Sequence, residues 1–142
     1  MKAIMMLAIM LMLGGSASAE PSEVVLQTIA MESAGRPEGM PYVAITLYNR
    51  ALKRGTSMEI EALRPYQYSC WNDAKWAKAW LDKHYSPKTR LGALNALKRG
   101  MVEAVNYPGL RHYHTIDTRP KWAKGHTPAF ILGGHKWYRG IA

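Results

Sequence analysis

Beyond residue 20, apolar positions recur first with the spacing of a helix and later with that of short strands. At 100° per residue, Val25, Leu26, Ile29, Ala30 and Ser33 fall on one arc. This predicts a helix over 23–34, with Ser22 as N-cap and a stop at Gly35-Arg36-Pro37. Glu32 lies at the edge of the arc, three residues after Ile29, whereas Glu23 and Gln27 point outward. A second helix is predicted over 40–53, ending before Gly55, with Val43, Ala44, Leu47, Tyr48 and Ala51 as its apolar side and Arg50 inside the stripe. Residues 58–63 form a short helical turn, and 65–71 read as loop or extended chain. Asn72-Asp73 cap a Trp-rich helix over 74–84. A further helix over 90–105 carries Leu94, Leu97, Met101 and Val105 on one face.

From Asn106 the punctuation changes. Pro108-Gly109 marks a turn, 111–115 a strand, and 130–132 an extended segment that Gly133-Gly134 returns into 135–138. Helices followed by a small antiparallel sheet make an α+β plan.

The first nineteen residues stand apart. Lys2, an apolar run over 3–13 and the ending Ala17-Ser18-Ala19 are the parts of a secretory signal peptide, with cleavage expected after Ala19. The run is short of the about 20 apolar residues that a membrane-spanning helix needs, although an uncleaved signal anchor is the alternative. Residues 20–142 then form one domain, exported to the periplasm, the cell envelope or the exterior. Lys2 is the only charged residue in the leader, so the formal charge of +9 becomes +8 without it. That excess favours an anionic wall or membrane surface, and export argues against nucleic acid. No stable membrane insertion after cleavage and a monomeric state are expected. Cys70 is the single cysteine, which excludes an intrachain disulfide.

Three sets of residues carry candidate chemistry. Burial disfavours the charged form of a carboxyl, so Glu32, on the buried edge of its helix, is a candidate general acid for glycoside cleavage. The competing role is structural: capping Gly35 or pairing with Arg50, unless Arg50 pairs instead with Glu38. His112-x-His114 sets two imidazoles on one face of a strand, with His126 and His135 later and His84 apart. Zinc is conceivable there, but without an H-E-x-x-H motif no metal or other cofactor is assigned, and sugar contacts or sheet packing are preferred. Cys70, between Ser69 and Trp71, reads as an inert packed thiol rather than a nucleophile.

Taken in order, several blocks form a pattern: Thr28-Ile29-Ala30-Met31-Glu32-Ser33-Ala34-Gly35, Glu38-Gly39-Met40, Tyr48-Asn49-Arg50, Gln67-Tyr68-Ser69-Cys70-Trp71, His112-Tyr113-His114, Pro120-Lys121-Trp122-Ala123 and Gly133-Gly134-His135-Lys136-Trp137-Tyr138. Together they resemble the SleB-type cell wall hydrolases, which include spore-cortex-lytic enzymes, across nearly all of residues 20–142. The resemblance implies a compact lysozyme-like fold and cleavage of peptidoglycan glycan strands between N-acetylmuramic acid and N-acetylglucosamine. It places the catalytic glutamate at Glu32. Family members commonly carry a second glutamate directly after the glycine, where this chain has Arg36; Glu38 fits the Glu-Gly element, so the second acid has no assigned counterpart. Hydrolysis ordinarily uses two carboxylates, for which Asp73 and Asp117 are the remaining candidates. A lytic transglycosylase needs only one, and that single-acid route is the expected chemistry. Tyr68, Trp71, His112, His114 and Trp122 are expected to line the glycan groove. The alternatives are a zinc-dependent amidase acting on the stem peptide and a noncatalytic wall-binding module.

Overall fold

A computed structural model describes residues 20–142; the signal-peptide reading of 1–19 lies outside them. Five helices precede a three-stranded sheet: α1 Glu23–Glu32, α2 Met40–Arg54, α3 Met58–Leu63, α4 Ala74–His84, α5 Pro87–Glu103, then β1 Leu110–Thr115, β2 Phe130–Leu132 and β3 His135–Arg139. Short 3-10 turns occur at Ser69–Trp71, Ala104–Asn106 and Lys121–Ala123. The sheet is antiparallel with β3 in the middle. The fold class is therefore α+β, as the pattern predicted. Among the described residues no helix is long and apolar enough to cross a membrane.

α1 is the central helix and packs against all four others. Val25, Leu26, Thr28, Ile29, Ala30 and Met31 are all buried, so apolar contact surrounds it rather than striping one side. It ends at Glu32, two residues before the expected stop. Gly35 N–H donates to Ala30 O at 2.9 Å and Ala34 N–H to Met31 O at 3.0 Å, which is a Schellman closure. The left-handed position in that closure belongs to Ala34, at φ 52°. α2 closes in a related way with Gly55 in the left-handed position. An alanine there carries a Cβ penalty that glycine lacks, about 1 kcal/mol. Ala34→Gly is accordingly expected to raise stability by ~1 kcal/mol, readable as a higher urea midpoint at unchanged slope. A lower midpoint would show that the Ala34 methyl contributes more in packing than its backbone costs.

α5 departs from expectation twice. It begins at Pro87 rather than at 90, because Ser86 Oγ accepts from Thr89 N–H at 3.2 Å and Pro87 takes the first turn. Its buried face is Ala93, Ala96, Leu97 and Gly100, while Met101 is exposed and Val105 is 80 % exposed. The cause is the closeness of α2: a Cβ on Gly100 would lie 2.9 Å from both Ala44 Cβ and Pro41 O. Only small residues fit that crossing, so the larger side chains flank it.

α3 carries an unforeseen element. Glu61 is fully buried, and Arg54 and Arg64 each place Nε at 3.2 Å from one of its carboxylate oxygens.

In the sheet, β1 pairs Tyr113 with Trp137 and His112 with Tyr138, and Gly133 and Gly134 both take positive φ in the β2–β3 turn, as a two-residue hairpin requires. Alternation therefore directs Tyr113, His135 and Trp137 toward the helices, and His112, His114 and Tyr138 away from them. Trp137 is fully buried at the centre of this contact, with Tyr113 tilted against it at 4.7 Å, Tyr42 tilted at 5.6 Å and Phe130 stacked at 6.0 Å.

Candidate active site

Glu32 is the last residue of α1, so a rigid, fully packed helix aims its side chain. Both carboxylate oxygens are held. Cys70 N–H donates to Oε1 at 3.2 Å, and the Tyr113 hydroxyl donates to Oε2 at 2.9 Å. The first donor comes from the 3-10 turn at Ser69–Trp71 and the second from β1, so three separate parts of the chain meet at this carboxyl. Burial, and then the charge of Glu32, push the Tyr113 phenol well above its ordinary value, so its proton stays in place. The same two causes, in the same order, raise the Cys70 thiol. Cys70 is buried and serves through its backbone, in agreement with its reading as an inert thiol.

The half-buried Glu32 faces open space on two sides. One hollow, of about 340 Å³, is walled by Met31, Ala34, Asp73 and Trp76; the other, of about 250 Å³, by Arg50, Tyr66, Gln67 and Tyr113. Glu32, Ser69, Thr115 and His135 belong to both walls. The two hollows are thus halves of one groove with the carboxyl at its waist. Trp76, 47 % exposed, stands in one half and Tyr66, 87 % exposed, in the other. Tyr66 holds φ at 62°, a backbone strain that presents the ring to solvent. His135 is buried, and its Nδ1 lies 3.1 Å from Gly133 O. A carbonyl can only accept, so Nδ1 carries the proton and Nε2 remains an acceptor. Burial lowers its pKa, keeping the ring neutral.

Arg50 does not neutralise the acid. Its guanidinium donates to Arg111 O, Gln67 O and Gln67 Oε1 and lies 5.1 Å above the Tyr68 ring. Among the described residues Glu32 forms no salt bridge, and neither does Glu38, so both expected partners of Arg50 are replaced by carbonyl oxygens.

The expected groove residues fare unevenly. Tyr68 is 1 % exposed and packs in the core beneath Arg50. Trp71 donates its indole N–H to Thr28 Oγ1 at 2.8 Å and lines a separate hollow with Leu63 and Pro65. His112 and Trp122 pack together at 5.2 Å on the sheet face away from Glu32. Burial and then Arg50 push the His112 imidazole down to about 4, so it is a neutral packing group. His114 alone reaches the Glu32 groove, at its edge. For His112 the source is strand alternation: the face changes with every residue, and the residue on the acid's side is the Tyr113 between the two histidines. Tyr113, His135, Tyr66 and Trp76 take the places assigned to those four.

Of the remaining acids, Asp73 stands in the groove wall, with Oδ1 accepting Trp76 N–H at 2.9 Å as the cap of α4. Asp117 is exposed in the turn after β1, outside both walls. Among the described residues no three His, Cys, Asp or Glu side chains converge as a metal site requires. The zinc-amidase alternative therefore has no ligand set there. No protein-family model, curated protein or solved structure matches this chain.

Proposed function

We propose that this chain is an exported peptidoglycan-cleaving enzyme, a lytic transglycosylase acting between N-acetylmuramic acid and N-acetylglucosamine, with Glu32 as its acid and base. One observation carries this reading: an oriented carboxyl without a cationic partner lies at the waist of an open groove, with an exposed aromatic ring in each half. Aromatic faces suit the apolar faces of sugar rings, and an open groove suits a polymer. The resemblance to SleB-type hydrolases supports the same residue, and the +8 charge suits an acidic wall.

In this mechanism Glu32, in its acid form, gives its proton to the glycosidic oxygen as the C1–O bond breaks. The resulting carboxylate takes the proton of the muramic 6-hydroxyl while that oxygen bonds to C1, closing a 1,6-anhydro ring and restoring the acid. One carboxyl serves both transfers because it is regenerated within the cycle. Tyr113 and Cys70 N–H hold it in line; the tyrosine hydroxyl can turn from donor to acceptor when Glu32 is protonated.

Mass spectrometry of the fragments released from purified wall tests this directly. Anhydro ends are expected. Free reducing ends would replace the mechanism with hydrolysis, and released stem peptides would replace it with amide cleavage.

Hydrolysis is the second reading, because Asp73 shares the groove wall with Glu32. Asp73→Asn separates the two. Asparagine caps helices about as well as aspartate, so folding is retained. The single-acid route predicts cleavage within about threefold of wild type, whereas a catalytic base at this position predicts a loss of ~10²-fold or more.

A further inference from the structure

Beyond the edge of the groove lies a larger hollow, about 570 Å³, with four cationic side chains in its lining: Arg119, Lys121, Lys124 and Lys136. No aspartate or glutamate lines it, and none of the four cations forms a salt bridge among the described residues. Its volume falls in the range of small-molecule sites, about 300–1,000 Å³. Like charges gathered round one concavity repel each other and focus a positive potential into it, which an anion relieves.

The hollow is joined to the groove. His114 and Thr118 line both it and the half of the groove that holds Tyr66. His114 is fixed at this junction: Nδ1 lies 2.7 Å from Thr115 O, and Nε2 lies 2.8 Å from the Tyr138 hydroxyl. Tyr138 and the ring of Pro120 add apolar surface between the charges. A side hollow of mixed apolar and cationic lining, opening off a glycan groove, suits a short branch that carries carboxylates. A linear polyanion would instead require a charged track along the surface.

We infer that this cavity binds the carboxylate-bearing stem peptide that branches from muramic acid, making the protein selective for glycan that still carries its peptides. The inference rests on the peptidoglycan reading above and deepens it.

The test compares two soluble glycans of equal length, one with stem peptides ending in free carboxylates and one stripped of peptide, against the Glu32→Gln protein by calorimetry. A Lys121→Gln/Lys124→Gln double variant removes two exposed charges; Lys88→Gln/Lys98→Gln on α5 is the control. The peptide-bearing glycan is expected to bind the double variant about tenfold more weakly, with the stripped glycan unaffected and the control pair silent. Lys121→Arg/Lys124→Arg is expected to restore binding. Equal loss on both glycans, or equal loss from the control pair, overturns the site in favour of general surface charge. Inorganic phosphate or poly(glycerol phosphate) competing as well as the peptide-bearing glycan overturns the peptide assignment. The two readings fail separately: discrimination between the glycans with no cleavage by the wild-type protein removes the catalytic role of Glu32 and leaves the cavity's role standing. Cleavage of both glycans without discrimination removes only the cavity's role.

Discussion

Glu32→Gln is expected to fold with an unchanged melting temperature and to release muropeptides from purified wall at least ~10³-fold more slowly than wild type. Glutamine keeps the shape of the side chain. Its carbonyl oxygen can accept from Cys70 N–H, and its amide can donate to the Tyr113 hydroxyl, so the two hydrogen bonds at the site survive in altered form. The amide cannot deliver a proton to a leaving oxygen, and no other acid stands at the waist of the groove. Asp73 lies in one half with an oxygen committed to capping α4. The measurement pairs a thermal melt with a timed digest, since a variant that unfolds would lose activity without bearing on chemistry. A folded Glu32→Gln protein that still cleaves would end the assignment of this residue.

The second large effect concerns packing. Trp137→Ala is expected to cost about 3–5 kcal/mol, a large share of the roughly 5–15 kcal/mol available to a domain of this size, and to lower the melting temperature by ~15 °C. Trp137 is the largest fully buried side chain among the described residues, and its indole N–H donates to Leu132 O at 3.0 Å. Removing it opens a cavity and takes one donor from that carbonyl. It also strips an aromatic neighbour from Tyr113, whose hydroxyl holds Glu32. Activity at temperatures where the variant remains folded is therefore expected to fall as well, through loss of alignment. Circular dichroism melts and initial rates measured at 15 °C separate the two losses. A melting shift of only a few degrees would show that the surrounding rings collapse into the space.

Much of this molecule is written locally. Ser57, Asp73 and Ser86 each accept a backbone N–H three residues on, and helices begin where those side chains stand. Gly133-Gly134 makes a hairpin because both residues must take positive φ. Glu32 was singled out by helical periodicity alone, since the neighbours that bury one side of α1 lie within two turns of it. These features depend on a few consecutive residues, so the order of side chains encodes them.

Other features depend on residues far apart in the chain. Leu94 and Leu97 marked one part of the buried face of α5, but Met101 and Val105 did not, because the deciding contact is between Gly100 and Ala44 on another helix. Arg50 was free to pair with either glutamate until folding brought the Gln67 and Arg111 carbonyls against it. The histidines of β1 drew attention by their chemistry, yet the pairing of Tyr113 with Trp137 set which face of the strand meets α1. Sequence by itself determined the elements, their ends to within about three residues, and one acid poised on a buried edge, because backbone propensity and apolar spacing act over a few residues. Only the tertiary structure decided what holds that acid and what surrounds it, because those contacts join α1 to residues 38 and 81 positions away, a separation that no local pattern encodes.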